Sequence, residues 1–248
     1  MAAGKAIGII MTYESSLYLE EIYHRIPKVL DEVIVVDDES KDQAKTGEIA
    51  KRLGIRFYPH KHLGYGGNIR FGFDRAMELG AEYMVEIHGD GQYDPTIIPS
   101  ALDKIREGYD MVLGSRFCVS MLQPLRDGMS FSRFFANIGL SFIDRLILGA
   151  SLSEFHTGFR VYSRNLVQRL PLEETSLDYL YGFQVIAQAI YYDLKIGEVP
   201  VRADYRKGHT SISIGRSTIY AFQMFYVLLQ FRLARMGFKI RLFKRKRA

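Results

Sequence analysis

The residues best suited to chemistry lie in Glu86-Ile87-His88-Gly89-Asp90-Gly91-Gln92-Tyr93-Asp94-Pro95. An apolar run (Tyr83-Met84-Val85) precedes them and a proline that opens a helical pattern follows, so the segment reads as a strand-to-helix loop. Side chains at i and i+2 share a side at the end of a strand, so Asp90 and Gln92 can present a carboxylate and an amide oxygen together. Two protein oxygens, completed by substrate phosphates and water, are a common way of holding Mg²⁺ or Mn²⁺ on a nucleotide. Gly89 and Gly91 let the backbone come close to a ligand. A solvated Gly-Asp turn would use the same residues, because short acidic motifs are common. The surrounding elements must decide.

Those elements alternate. Ala6–Met11 (A-I-G-I-I-M) and Glu32–Val36 (E-V-I-V-V) are too apolar for surface strands and read as buried parallel ones. Ile55–Tyr58, Tyr83–His88 and Met111–Leu113 continue the series, with helical patterns from about Leu17, over Lys41–Leu53, after Gly64-Tyr65-Gly66-Gly67-Asn68, and from Pro95 to about Glu107. This predicts an α/β fold: a doubly wound, mostly parallel sheet with helices on both faces. Such sheets bind ligands at the carboxyl ends of their strands, so Thr12, Asp37-Asp38, Asp90 and Arg116 should line one crevice. Phe117–Ser130 reads as a mobile loop, Ser132–Leu148 and Leu180–Tyr192 as helices, and Lys195–Tyr205 as an extended edge segment because of Pro200. Ser217–Gly237 is a last, very apolar helix, interrupted by Gln223 and Gln230 and too short to span a bilayer.

The formal net charge of +5 conceals an asymmetry. Lys239–Ala248 holds six basic residues and no acid, and the remainder carries 27 basic against 28 acidic residues. A neutral body excludes nucleic acid as the natural partner, and a basic tail behind an amphipathic helix fits an anionic membrane surface. An alternative is a core-packed helix with a solvated tail. Cys118 is the single cysteine, so no internal disulfide forms, and the start of the chain shows no signal-peptide pattern. Both point to the cytoplasm, with peripheral attachment to the cytoplasmic face of a membrane.

Several short motifs fall in order along this frame. They are Met11-Thr12-Tyr13-Glu14-Ser15, Val35-Val36-Asp37-Asp38-Glu39-Ser40, Gly64 through Asn68, His88 through Gln92, Gly114-Ser115-Arg116, and Glu154 through Arg160. The ordered set resembles family 2 glycosyltransferases of the GT-A fold, and more narrowly the polyprenyl-phosphate (dolichol-phosphate) sugar synthases. The resemblance implies a catalytic domain over residues 1–216, with the amphipathic helix and basic tail over 217–248. It implies that Thr12, Tyr13, Asp37, Asp38, Gly66, Gly67 and His88 bind a nucleotide-sugar donor, and that Asp90 and Gln92 hold a divalent metal, Mn²⁺ or Mg²⁺. Arg116, Arg133 and Asn137 would hold the acceptor phosphate of a polyprenyl lipid, with Asp90, Arg116 and Glu154 as the catalytic set. Arg133 and Asn137 stand one helical turn apart and can share a phosphate.

The chain departs from the family pattern in several places. His88 stands at the first acid of D-x-D, Met11 and Ser15 at the proline and glutamate of P-T-Y-N-E, Tyr65 where a lysine is frequent, and Glu154 where aspartate is usual. Met11 and Ser15 favour UDP over GDP. The membrane-spanning helices of some members are missing from this sequence, which leaves room for a membrane-protein partner. The implied reaction is inverting transfer of the sugar to a lipid phosphate, with Glu154 orienting an arginine. If the acceptor were a saccharide or glycolipid hydroxyl, Glu154 would be the base. A non-catalytic nucleotide-sugar-binding subunit is a further alternative. A dinucleotide-dependent oxidoreductase fits poorly, because the glycine-rich segment follows the third strand and not the first.

Overall fold

A computed structural model describes residues 4–118, 120–205 and 214–244. In chain order the elements are β1 (Ala6–Thr12), α1 (Ser16–Arg25), β2 (Glu32–Asp38), α2 (Gln43–Leu53), β3 (Arg56–His60), α3 (Tyr65–Glu78), β4 (Tyr83–His88), α4 (Ile98–Arg106) and β5 (Met111–Ser115). They continue with α5 (Gln123–Arg126), α6 (Phe131–Leu148), β6 (Arg160–Ser163), α7 (Arg164–Arg169), α8 (Tyr181–Tyr191), β7 (Ile196–Pro200) and α9 (Ile214–Arg235). The seven strands form one sheet in the order β3-β2-β1-β4-β6-β5-β7. Every pairing is parallel except those of β6, which runs antiparallel to both β4 and β5.

Alternation along the buried strands feeds two cores. Ile7, Ile9 and Met11 of β1 face α3, α8 and α9, while Ala6 and Ile10 face the layer built from α1, α2 and α4. Register then aligns the strand ends: Thr12 lies opposite Asp37, Met11 opposite His88, and Ser115 opposite Pro200. Because β6 is reversed, its first residue, Arg160, arrives at this same edge between Glu86 and Leu113.

The expected architecture is present, with three corrections. β6 is a strand of its own in mid-sheet. The 117–130 stretch includes the short helix α5 among its described residues, so it is not simply a loop. The segment beginning at Lys239 is not a free tail: Arg241–Phe243 forms one tight helical turn, and Leu242 and Phe243 are buried beside α8 and α9. Gln188 Nε2 donates to Leu242 O (2.8 Å) and the Tyr192 hydroxyl to Phe243 O (2.7 Å). Burial of each side chain contributes about 1.5–3 kcal/mol, while the flanking Arg241 and Lys244 stay exposed and keep their hydration. Arg245, Lys246 and Arg247 lie outside the described residues.

α9 shows why its sequence is apolar all round. Met224, Val227, Leu228 and Phe231 pack inward, while Phe222, Tyr226 and Leu229 are exposed. α6, which packs against α9, exposes Phe131 (70%), Phe135 (67%), Phe142 (61%) and Leu146 (74%), a run at near-helical spacing. Scattered apolar residues on a surface are ordinary, whereas here two neighbouring helices each expose several of them. Among the described residues no helix is long and apolar enough to cross a membrane.

Candidate active site

The Asp90 loop is built by a turn and not by strand geometry. β4 ends at His88, Gly91 N bonds back to His88 O (3.1 Å), and Gly91 takes φ +69°, a conformation that favours glycine. The i, i+2 relation of Asp90 and Gln92 is therefore not that of a strand. Instead Gln92 N donates to Asp90 Oδ1 (3.0 Å), which fixes the carboxylate and leaves Oδ2 without a hydrogen bond to any described residue. Gly89 is needed because a Cβ there would sit 2.4 Å from Met11 O and 2.8 Å from Ser15 Oγ. That close approach joins this loop to the one after β1.

No cluster of three His, Cys, Asp or Glu able to hold a metal occurs among the described residues. A cation here would take Asp90 Oδ2 and the Gln92 amide oxygen and find its other ligands on a bound diphosphate and water. Hard oxygen donors of this number fit Mg²⁺ or Mn²⁺ on a phosphate substrate and do not fit a self-sufficient protein cage.

The residues matched to nucleoside binding divide into two groups. Thr12, Asp37 and Asp38 are buried and bonded within the protein. Asp37 accepts from the Thr12 hydroxyl (2.8 Å), the Ser40 backbone and hydroxyl (2.9 and 2.7 Å) and Gln43 Nε2 (3.0 Å), tying the β1 and β2 loops together. Asp38 accepts from Leu63 N (2.6 Å) and Gly64 N (2.9 Å) and meets His62 Nδ1 at 2.9 Å. Tyr13, by contrast, is 54% exposed, and its ring lies 5.4 Å from that of His62. These two rings form an open aromatic mouth suited to a base, and sequence reading missed His62. Gly66 and Gly67 admit the chain's own backbone and side chains: a Cβ on Gly66 would lie 2.3 Å from Ser176 O, and one on Gly67 2.4 Å from Leu63 Cβ. Gly66 N also donates to Leu177 O (2.8 Å).

Beneath Asp90 lies a buried polar cluster. Glu86 is fully enclosed, with Arg160 Nη1 3.3 Å from Oε1 and the Tyr162 hydroxyl donating to Oε2 (2.6 Å). The Tyr65 hydroxyl also donates to Glu86 and accepts from Arg160 Nη1 (3.1 Å). Burial would raise the Glu86 pKa, but Arg160, His88 and Tyr162 outweigh it and hold the carboxylate below its ordinary range. His88 Nε2 faces two acceptors, Gly158 O (3.0 Å) and Glu86 Oε1 (3.4 Å), so Nε2 carries the proton. Burial pulls its pKa down, yet the adjacent Glu86 carboxylate more than reverses this. His88 is thus anchored from below through Nε2, and Nδ1 is the nitrogen left for a ligand.

Arg116 closes the far side. Glu154, wholly buried, accepts from Arg116 N through Oε2 (2.8 Å) and from Nε through Oε1 (2.7 Å), with Nη2 on the same oxygen. Nη1 donates to the Tyr205 hydroxyl and Nη2 to His156 O (3.0 Å). Both Glu154 oxygens are thus engaged by this one arginine. Glu198 on β7 supports it from behind, accepting from Ser153 N (2.8 Å) and Glu154 N (3.1 Å). Ser153, Glu198 and Tyr205 carried no signal in the sequence, since only packing between β5, β7 and the 153–158 segment brings them here. Phe117 rests on Phe134 (5.9 Å between rings), which sets the first turn of α6, with Arg133, beside the strand end at Arg116. Asn137 Nδ2 donates to Arg133 O (2.9 Å) and to Met129 Sδ (3.9 Å), so its amide nitrogen is engaged within the protein.

A family model described as glycosyl transferase family 2 matches residues 9–170, more than half of the chain. The chain belongs to that family. Its matched region contains every motif above from Thr12 to Arg160. This glycosyltransferase is 26% identical over 247 residues to the UDP-N-acetylglucosamine–dolichyl-phosphate N-acetylglucosaminyltransferase of Methanococcus voltae, covering 92% of this chain and 96% of that one. It is 26% identical to the polyprenol monophosphomannose synthase of Mycolicibacterium smegmatis, over 79% of this chain and 76% of the other. Glucosyl-3-phosphoglycerate synthase from Mycobacterium tuberculosis, solved in complex with Mn²⁺, UDP and glucosyl-3-phosphoglycerate, shares the fold at a TM-score of 0.68 and 16% identity, over 96% of this chain and 82% of that one. The fold is of the GT-A type, and the protein is a sugar-transferring enzyme.

Proposed function

We propose that this glycosyltransferase moves a sugar from a nucleotide-sugar to a polyprenyl phosphate at a membrane surface. One observation carries the reading: an arginine fixed on several sides stands at the sheet edge next to two helices whose outer faces are apolar. That combination suits an acceptor with an anionic head and a hydrocarbon chain. The relatives whose names contain dolichyl phosphate and polyprenol support it.

A lipid monophosphate is largely dianionic at neutral pH, because its second pKa is about 6. It is its own nucleophile. An oxygen of the phosphate attacks the anomeric carbon, the bond to the nucleoside diphosphate breaks, and the configuration inverts. Arg116 and Arg133 hold the phosphate and aim its oxygen, and Glu154 keeps Arg116 in place. Tyr13 and His62 receive the base, with Thr12, Asp37 and Asp38 shaping the loops beneath it. His88 can donate or accept at the donor through Nδ1. Asp90 and Gln92 would hold a divalent metal, which supplies charge stabilisation for the leaving diphosphate. Gly66 and Gly67 set the walls by admitting the 176–181 segment.

Arg133→Ala is expected to raise the apparent KM for polyprenyl phosphate about ten- to a hundred-fold, the equivalent of losing a charge-assisted contact of roughly 1.5–3 kcal/mol. The KM for nucleotide-sugar should stay within about twofold. Equal effects on both substrates would place Arg133 away from the acceptor.

Attachment to the bilayer would come from the stripes on α6 and α9, assisted by cations near the end of the chain at about 1 kcal/mol each. Deleting residues 239–248 would remove Leu242 and Phe243 from the core, so charge substitution is the cleaner probe. Replacing Lys239, Lys244, Arg245, Lys246 and Arg247 by Gln should weaken sedimentation with anionic vesicles and leave transfer to a short, water-soluble acceptor phosphate intact. Phe135→Ser with Phe142→Ser should weaken sedimentation at high salt as well. Unchanged sedimentation in both variants would remove the membrane from the account.

A further inference from the structure

Asp144 is a buried polar group that the chemistry above does not use. It lies on α6, is fully enclosed, and neither carboxylate oxygen makes a well-aligned hydrogen bond to a described residue. Its close companion is His156, whose Nε2 stands 3.0 Å from Asp144 Oδ2. The other ring nitrogen, Nδ1, is 3.0 Å from the hydroxyl of Tyr220 on α9. The imidazole lies flat against Phe183 of α8 (5.7 Å, 24°) and edge-on to Tyr220 (5.7 Å, 82°). Three helices therefore determine where this ring sits. Burial raises the Asp144 pKa, offset in part by the imidazole and by Arg145. An enclosed carboxylate of this kind is costly to keep, and an apolar side chain would fill the same space more stably.

The backbone of the same histidine reaches the site. His156 O accepts from Arg116 Nη2 at 3.0 Å, two residues beyond the Glu154 that pairs with the same guanidinium. Glu154 supplies the charge, and the Tyr205 hydroxyl holds Nη1. Glu154 and Tyr205 take Nε and opposite ends of the guanidinium, and the His156 carbonyl adds a second acceptor on Nη2, on the side of the 153–158 segment. We propose that His156 is a positioning residue for Arg116: Tyr220 and Phe183 hold its ring, with the Asp144 carboxylate close by, and the held residue fixes the carbonyl that aims the guanidinium. The consequence for acceptor binding rests on the reading of Arg116 as a ligand of the acceptor phosphate.

Tyr220→Phe removes one oxygen, and His156→Gln keeps a donor near the Nε2 position while losing the link to Tyr220. Hydrogen exchange of arginine Nε–H groups, followed by ¹⁵N NMR, reports on Arg116 directly. Its resonance is assigned by its loss in Arg116→Lys. Arg164, whose Nε donates to Ala81 O (2.8 Å) at the other end of the sheet, is the control. Both variants should speed exchange at Arg116 at least tenfold and leave Arg164 unchanged. The KM for polyprenyl phosphate should rise about tenfold, with the KM for the donor within twofold. Unchanged exchange at Arg116, or equal acceleration at both arginines, would overturn the proposal by making His156 inert or merely structural. Faster exchange at Arg116 alone, in an enzyme that does not use polyprenyl phosphate, would uphold the positioning role and overturn the acceptor assignment instead.

Discussion

Asp90→Asn should lower kcat/KM about a thousandfold or more and leave the fold intact. A thousandfold corresponds to ~4 kcal/mol of transition-state stabilisation, within the several kcal/mol that a metal-held leaving group supplies. Stability should hardly change. The observed hydrogen bond to this side chain comes from Gln92 N to Oδ1, and an asparagine oxygen can accept it equally well. What asparagine lacks is the negative charge at Oδ2, the oxygen that meets no described residue. Two measurements separate the effects. A nucleoside diphosphate with Mn²⁺ should raise the melting temperature of the wild type and not of the variant, because ligands that bind the native state stabilise it. EDTA should silence the wild type, and added Mn²⁺ or Mg²⁺ should restore it. Full turnover in EDTA, or in Asp90→Asn, would remove the metal from the assignment.

Arg160→Met should destabilise the protein by about 3–5 kcal/mol, since it strands a fully enclosed carboxylate at Glu86. For a chain of this size that is a fall of roughly 6–20 °C in melting temperature. Glu86→Leu combined with Arg160→Met should recover part of the loss, because no uncompensated charge is then left inside. The pH dependence has a definite sign. Glu86 is held below its ordinary pKa in the folded protein, so its contribution is complete above the unfolded value and is lost as pH falls through the folded one. In Arg160→Met the carboxyl takes up a proton at higher pH. The gap between wild type and variant should therefore be widest near neutrality and close in acid, as urea titrations across that range would show. A gap that stays constant with pH would mean that Arg160 acts through packing alone.

The sheet was legible because β1, β2, β4 and β5 are apolar runs separated by helical patterns, a signal that needs no tertiary information. β6 was not. It is four residues long and begins with Arg160, a charge that belongs in mid-sheet only because Glu86 arrives opposite it from β4. Of the matched residues, Arg116 directly follows β5 and Asp90 lies just past β4, whereas Glu154 sits between α6 and β6 and meets Arg116 only through packing. How their neighbours are arranged was beyond local reading. Asp37 and Asp38 turn inward to tie loops together, while His62 and Tyr205 reach the site from segments that show no pattern of their own. The close of the chain misled for a physical reason: its charges suggest solvation, whereas Leu242 and Phe243, set between cations, are what docks it onto α8 and α9.

Product formation tests the central claim most directly. Purified protein is incubated with polyprenyl phosphate, Mn²⁺ or Mg²⁺, and UDP- or GDP-linked sugars in turn, and the lipid fraction and the released nucleotide are both measured. The proposal predicts that one donor yields a polyprenyl-phosphate sugar in equal amount to the nucleoside diphosphate, with the anomeric configuration inverted, and that Asp90→Asn yields neither. Transfer to a saccharide hydroxyl with none to the lipid phosphate would contradict it.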